Sequence, residues 1–247
     1  MAEINENTTF NYNSQYFIEK DGELTTFRLP RIGIGVTSFN RPECLKDCLE
    51  HIVKHTGLTD ARLDGGLRDY YKENVTLYIA TDTDKDRRGV AFRKNECLRA
   101  LKDCDYVFLF DDDCFPIKDG WVEFFVNTGI DHLMYLDRRF HRYIKDNTYA
   151  DCGGVLLYMT KKAIDTVGAF DEKFEIYGFE HADWSSRFYG DKEGYISLLG
   201  TDKYIYSHDY STPNHKSSIT DKEKQKCIKN NWGKFFKEPI KQTYIPL

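Results

Sequence analysis

Five apolar or aromatic residues, Tyr106-Val107-Phe108-Leu109-Phe110, run straight into three carboxylates, Asp111-Asp112-Asp113. An unbroken apolar run with no polar alternate positions describes a strand covered on both faces, the setting of a parallel sheet packed between helices. At the C-terminal end of such a strand the chain emerges where open α/β sheets bind their ligands. Three adjacent carboxylates repel one another there and lose hydration. They need a hard divalent cation or several hydrogen-bond donors to neutralise them.

The surrounding pattern agrees with this setting. Residues 31–39 alternate Ile32, Ile34 and Val36 with Gly33 and Gly35, which predicts a strand with close packing on one face, ending in the polar turn Thr37-Ser38-Phe39-Asn40-Arg41-Pro42. Pro42 suits the first turn of a helix, and Leu45, Cys48, Leu49, Ile52 and Val53 continue it at helical spacing. A second buried strand is expected over 75–80, closing on Thr81-Asp82, and a helix over 93–101 leads to the acidic strand. Strand, helix, strand, helix, strand with short connections predicts an α/β fold, its central sheet mostly parallel and built by right-handed crossovers. Ligands should gather at residues 37–41, at Asp82 and at the triplet. The polar, glycine-containing segment 58–72 reads as a surface insertion.

Composition sets outer limits. A chain of 247 residues with 40% apolar content suits one larger domain with an appendage. No run approaches a membrane span and residues 1–15 have no signal-peptide core, so a cytoplasmic location is expected. Seven cysteines without a Cys-x-x-Cys pair argue against a disulfide framework or a zinc site. The net charge of -5 conceals a basic end, where residues 215–241 hold eight lysines against three acids.

Four motifs in order carry a resemblance. They are the Thr37-Ser38-Phe39-Asn40-Arg41 turn; Arg88-Gly89-Val90-Ala91-Phe92-Arg93-Lys94-Asn95; Asp111-x-Asp113; and a longer segment running from Cys152-Gly153-Gly154 through Val167-Gly168-Ala169-Phe170-Asp171-Glu172 to Tyr177-Gly178-Phe179-Glu180-His181-Ala182-Asp183 with Arg187. Over roughly residues 31–208 the chain resembles a nucleotide-sugar glycosyltransferase of the GT-A fold, most similar to family 2. The resemblance implies one Rossmann-like GT-A domain over 31–210, with a nucleotide half (31–113) and an acceptor half (114–210). An N-terminal extension (1–30) and a basic helical C-terminal segment (211–247) would flank it.

It also implies a site. Thr37, Ser38, Asn40, Arg41, Asp82, Arg93, Asn95, Asp111 and Asp112 would hold a nucleoside diphosphate sugar, by resemblance a uridine diphosphate sugar. Asp113 would bind Mn²⁺ or Mg²⁺ directly, with Asp111 on the ribose or as a second metal contact. His208 matches by position a histidine that closes the metal site in related enzymes, and His215 is a weaker candidate. An imidazole ligand favours Mn²⁺. Such a cation would meet the charge that builds on the leaving diphosphate as the sugar becomes oxocarbenium-like. Gly153 and Gly154 make either a tight turn or a backbone open to the sugar. Glu180 and Asp183 stand at i, i+3 and would face one site from a helix starting here, behind a Tyr177-Gly178-Phe179 platform suited to stacking on a sugar.

One position departs from the pattern. Inverting relatives place an aspartate directly after the glutamate, whereas this chain has His181. The base that deprotonates the acceptor hydroxyl is then Asp183, Glu180 or His181. The reading favours an acid, Asp183 ahead of Glu180, with His181 orienting it; retention of configuration stays open. A sugar-phosphate nucleotidyltransferase would share the sheet and its aspartates, but the turn after the first strand lacks the glycine-rich loop. A non-catalytic sugar-nucleotide binding protein would have no use for the carboxylates. The acceptor is a hydroxyl on a glycan, a lipid-linked glycan, a protein or a modified nucleic-acid base. Basic and aromatic residues at Arg138-Arg139-Phe140-His141-Arg142 and near Trp232, Phe235 and Phe236 would suit an anionic membrane surface or nucleic acid. The alternative for the C-terminal segment is an amphipathic helix packing Ile228, Trp232 and Phe235 on the sheet.

Overall fold

The computed structural model describes residues 9–10, 15–20, 23–58, 74–136, 143–145, 148–149, 152–192, 195–196, 201–208, 219–240 and 244–247. The expected insertion beyond Leu58, the 138–142 basic run and His215 lie outside them. Strands β1 (Thr9–Phe10), β2 (Gln15–Lys20) and β3 (Glu23–Arg28) pair in a small antiparallel sheet. Arg28 ties its end to the main body through a two-oxygen contact with Asp105 at 2.7 and 2.9 Å.

Residues 31–113 then follow as β4 (Ile32–Phe39), α1 (Pro42–Thr56), β5 (Val75–Asp82), α2 (Val90–Ala100) and β6 (Tyr106–Asp111). Pro42 does open α1, and Gly57 closes it in a left-handed conformation with φ 72°. Helix α2 begins three residues before the expected Arg93, directly after Gly89. Beyond the triplet come β7 (Cys114–Pro116), α3 (Trp121–Val126), β8 (His132–Tyr135), β9 (Tyr143–Lys145), β10 (Thr148–Tyr149) and β11 (Gly153–Thr160). The last described elements are α4 (Lys161–Val167), α5 (Glu180–Tyr189), β12 (Tyr195–Ile196), β13 (Ile205–Ser207) and α6 (Asp221–Lys237).

The central sheet has the order β5-β4-β6-β11-β8. Strands β5, β4 and β6 are parallel, while β11 runs antiparallel to both β6 and β8, so only β11 is reversed. The chain leaves β4 for a neighbour on one side and later returns on the other. That switch of direction opens a crevice at the C-terminal strand ends. Register places Phe39 opposite Asp82 and Thr37 opposite Asp111 at this edge.

Burial of both sheet faces accounts for the apolar run of β6. Val107 and Leu109 join the core with Leu98, Leu157 and Trp184, while Phe108 and Phe110 join Ile52, Trp121 and Phe125 on the other face. Each fully buried side chain of this size contributes about 1.5–3 kcal/mol relative to exposure. Gly35 is needed where α2 crosses β4, since a Cβ there would lie 2.7 Å from Leu109 Cδ2 and 2.8 Å from Cys97 Cβ. His132 on β8 bonds Tyr158 O and Ser185 Oγ, both at 2.8 Å, and burial pushes it down to about 4, so a neutral imidazole fastens α5 to the sheet. All seven cysteines are free thiols. Among the described residues no helix is long and apolar enough to cross a membrane.

Candidate functional site

A cavity of about 200 Å³ opens at the crevice, bounded by the β4 turn, Asp82, the end of β6, the start of β11 and the start of α5. Thr37, Ser38, Arg41, Asp82, Arg93, Asp111, Asp113, Gly153, Gly154, Glu180 and His181 all line it, so most of the sequence-selected residues converge.

The triplet divides by direction. Asp111 and Asp113 face the cavity, whereas Asp112 is 0% exposed and turned into the protein. Ser38 Oγ donates to Asp112 Oδ2 at 2.5 Å, and Arg41 pairs with Asp112 Oδ1 as well as with Asp113 Oδ2, the latter at 2.6 Å. Burial raises the Asp112 carboxyl to about 7 even though Arg41 and Ser38 oppose the shift. Asp112 is therefore a support beneath the site and not the donor contact expected from sequence.

Two further expectations are corrected. Asn95 is buried off the cavity, where its amide accepts from Phe170 N at 2.7 Å and donates to Phe170 O at 3.0 Å and Glu172 Oε1 at 3.1 Å. It clamps the loop before α5. Asn40 is exposed on the turn with φ 50°, a left-handed conformation that asparagine tolerates, and does not line the cavity.

Asp82 is at the cavity but heavily bonded, accepting from Arg88 N at 3.0 Å, Gly89 N at 2.7 Å and Arg93 Nε at 2.6 Å. Arg93 in turn reaches Asp86 and Glu96, each at 2.7 Å. This network shapes the wall leading into α2.

Sequence reasoning passed over Lys94, which lies buried behind the cavity wall and joins three of its lining residues. It is fully buried, with Nζ 3.1 Å from Glu180 Oε1, 3.3 Å from Gly154 O and 3.4 Å from Asp111 Oδ1. Burial would depress this ammonium, but Asp111 and Glu180 raise it above its ordinary value. Burial would likewise raise Glu180, yet Lys94 and then His181 outweigh it and hold the carboxyl well below the usual range. Both members of the pair are thus charged. The available signal was positional: Lys94 is one residue from Arg93 in the matched motif, on the α2 face turned to the sheet.

His181 Nδ1 lies 3.3 Å from Glu180 Oε1 and the ring faces the cavity. The imidazole fills the space beside Gly154, where a Cβ would come within 2.3 Å of His181 Cγ. The glycine is explained by this contact. Gly154→Ala is expected to displace the ring and lower turnover at least as much as it lowers stability, measured by kcat beside urea unfolding; unchanged kcat would show the ring position to be unimportant.

Asp183 is not in the cavity. Arg187 Nε holds its Oδ2 at 2.9 Å, Lys173 Nζ is 3.9 Å from Oδ1, and the residue borders a separate hollow with Asp171 and Lys192. The i, i+3 offset from Glu180 carries it round the helix, out of reach of an acceptor in the crevice. Of the aromatic platform, Tyr177 lines the cavity, but Phe179 packs on Phe235 and Phe236 of α6 at ring distances of 5.5 and 6.0 Å. Helix α6 also supplies Lys224 to the cavity, its Nζ 5.3 Å above the Tyr177 ring.

His208 reaches the triplet through the backbone. Strand β13 pairs antiparallel with β7, and His208 N donates to Asp113 O at 2.9 Å. Its ring meets Phe115 and Tyr206 edge-on at 5.8 and 5.0 Å. Among the described residues no three His, Cys, Asp or Glu side chains form a metal cage by themselves. The donor chemistry still fits a hard cation, since Mg²⁺-type sites use one or two carboxylates and complete their coordination with substrate phosphates. Asp111 and Asp113 offer such oxygens to the cavity.

No family model matches the chain. It is 31% identical over 115 residues to an uncharacterized glycosyltransferase of Acanthamoeba polyphaga mimivirus, a match covering 40% of this chain and 45% of that protein. The chain thus spans less than half the length of this curated relative. Solved structures with a related course include the mannosyltransferase PcManGT from Pyrobaculum calidifontis in complex with GDP-Man and Mn²⁺ (TM-score 0.49, 12% identity, 70% of this chain and 55% of that one). TarS of S. aureus is another (TM-score 0.45, 13% identity, 72% and 60%). In its likeness to the mimivirus protein the chain is similar to a glycosyltransferase, and the order of its motifs resembles the nucleotide-sugar glycosyltransferases of the GT-A type.

Proposed function

We propose that this protein is a metal-dependent glycosyltransferase that moves a sugar from a nucleoside diphosphate sugar, by resemblance a uridine diphosphate sugar, to a hydroxyl acceptor. Residues 31–210 form its catalytic domain in this reading. The observation that carries it is the facing of Asp111 and Asp113 into the same cavity as His181, while Asp112 is turned away.

Asp111 and Asp113, with His208 as a third candidate, would hold Mn²⁺ or Mg²⁺. When bound, the cation offsets the negative charge that develops on the leaving diphosphate. Arg41 then has a second role. It balances Asp112 and Asp113 in the structure and is placed to turn toward phosphate oxygens, for which a guanidinium is well shaped. Thr37, Ser38, Asp82 and Arg93 form the donor wall.

His181 is the general base in this reading, replacing the Asp183 expected from sequence. With Nδ1–H donating to Glu180, the Nε2 lone pair takes the proton of the acceptor hydroxyl. The hydroxyl oxygen bonds to the anomeric carbon as the bond from that carbon to the diphosphate oxygen breaks, and the electron pair leaves with the nucleotide. Single displacement inverts the anomeric centre. Lys94 keeps Glu180 ionised so that Glu180 can orient the imidazole.

The test is nucleoside diphosphate release from a panel of nucleotide sugars in Mn²⁺. Asp113→Asn is expected to lose about 3 kcal/mol or more of transition-state stabilisation, roughly a hundredfold in turnover, with an unaltered circular dichroism spectrum. Normal turnover by that folded variant, or by the wild type in chelator, would overturn the metal assignment.

A further inference from the structure

Helix α6 carries an unusual outer face. Ile228, Trp232 and Phe236 stand at i, i+4 and i+8 and are 39%, 50% and 47% exposed. Four exposed lysines accompany them, Lys222, Lys226, Lys229 and Lys237. The helical period puts Lys222 and Lys229 on one flank of the stripe, with Lys226 and Lys237 behind them. Asp221, at the helix start, is the exposed acid of α6, whereas Glu223 is paired with Arg87 at 2.8 Å on the inner side.

The helix is not free to roll this stripe inward. Asn231 Nδ2 donates to Phe174 O at 2.7 Å, Tyr177 O at 2.8 Å and Gly178 O at 3.1 Å, Lys234 Nζ donates to Lys173 O at 2.6 Å, and Phe235 is buried. The expectation that Ile228 and Trp232 pack on the sheet is therefore corrected. Phe235 alone of that trio is buried, against Phe179 at the start of α5, because the polar Asn231 and not Trp232 occupies the inward position beside it.

We propose that this face of α6 docks the protein on an anionic lipid surface, the apolar stripe entering the headgroup boundary and the lysines meeting lipid phosphates. An amphipathic helix with tryptophan and phenylalanine on one side and lysines beside them has the chemistry of an interfacial helix. Nucleic acid fits less well, since a continuous stripe that includes isoleucine gives no stacking platform at that position. The stripe also reaches the cavity rim: a Cβ on Gly178, a cavity-lining residue, would lie 3.9 Å from Ile228 Cγ1. Docking would thus hold the crevice beside the membrane, and a lipid-linked acceptor follows from it, a consequence that rests on the proposed transferase activity.

Vesicles of phosphatidylcholine, with and without phosphatidylglycerol, test the docking on the full chain. Trp121 and Trp184 are fully buried, so a fluorescence change reports Trp232. The expected result is a blue shift and co-sedimentation with the anionic vesicles. Affinity should fall roughly tenfold or more in Lys222→Glu/Lys226→Glu/Lys229→Glu. Trp232→Ser/Phe236→Ser should lose co-sedimentation while keeping its circular dichroism and its nucleoside diphosphate release in vesicle-free buffer. That last measurement separates failure of docking from failure of the enzymatic reading. Absence of partitioning into anionic vesicles would overturn the proposal. So would undiminished partitioning of the double variant, or a Trp232 shift driven by protein concentration or by single-stranded RNA in place of vesicles.

Discussion

Replacing His181 with alanine is expected to lower kcat by roughly 10²- to 10⁴-fold while nucleoside diphosphate affinity stays near the wild-type value. The imidazole is the titratable group that faces the cavity with a ring nitrogen left over after its contact with Glu180. Glu180 itself is buried and committed to Lys94, and Asp183 is held by Arg187 outside the crevice. Asp183→Asn should therefore change stability more than turnover. Product configuration, read by NMR, should be inverted. A larger loss in Asp183→Asn than in His181→Ala, or a retained configuration, would overturn the assignment of the base.

Lys94→Met is expected to destabilise the fold by about 3–5 kcal/mol, because it leaves Asp111 and Glu180 facing each other without their buried cation. In the wild type the folded Glu180 carboxyl lies below its ordinary value of 4.5, so its contribution is complete above that value and is lost only as pH falls through the depressed folded range. In the variant the sign reverses. Burial without Lys94 raises the carboxyl, so acidification toward the ordinary range relieves part of the penalty. Urea unfolding at neutral and mildly acidic pH measures the difference, and a variant as stable as wild type at neutral pH would show the pair to be dispensable. Glu180→Gln in the Lys94→Met background should recover part of the loss, since one uncompensated charge is removed.

The elements that could be read from sequence were those whose two sides obey one rule. In β6 the four positions from Val107 to Phe110 are all buried, so an unbroken apolar run sufficed, and the strand end then placed the triplet at the sheet edge with Thr37 and Asp82. Asp183 misled because i, i+3 spacing makes two residues neighbours without saying which of them faces a crevice. Its own partner, Arg187 at i+4, was visible in the sequence as a competing claim on the carboxylate. Lys94 was hidden for a different reason. A buried lysine is intelligible only with Asp111 and Glu180 around it, and these come from two separate elements, the next strand β6 and the distant helix α5. Trp232 and Phe235 are both aromatic within one helical turn, and only the three carbonyls gathered by Asn231 decide which is turned inward.

The pairing of β13 with β7 sets Ser207 opposite Cys114, the residue that follows the triplet. A contact between such distant parts of the chain carries a large loop-closure entropy and forms after the local structure on either side. The parallel strands β4, β5 and β6 can therefore assemble while His208 is still remote from Asp113. In that half-built state the triplet already has its counter-charge, because Arg41, which pairs with Asp112 and Asp113, belongs to the same 31–113 stretch.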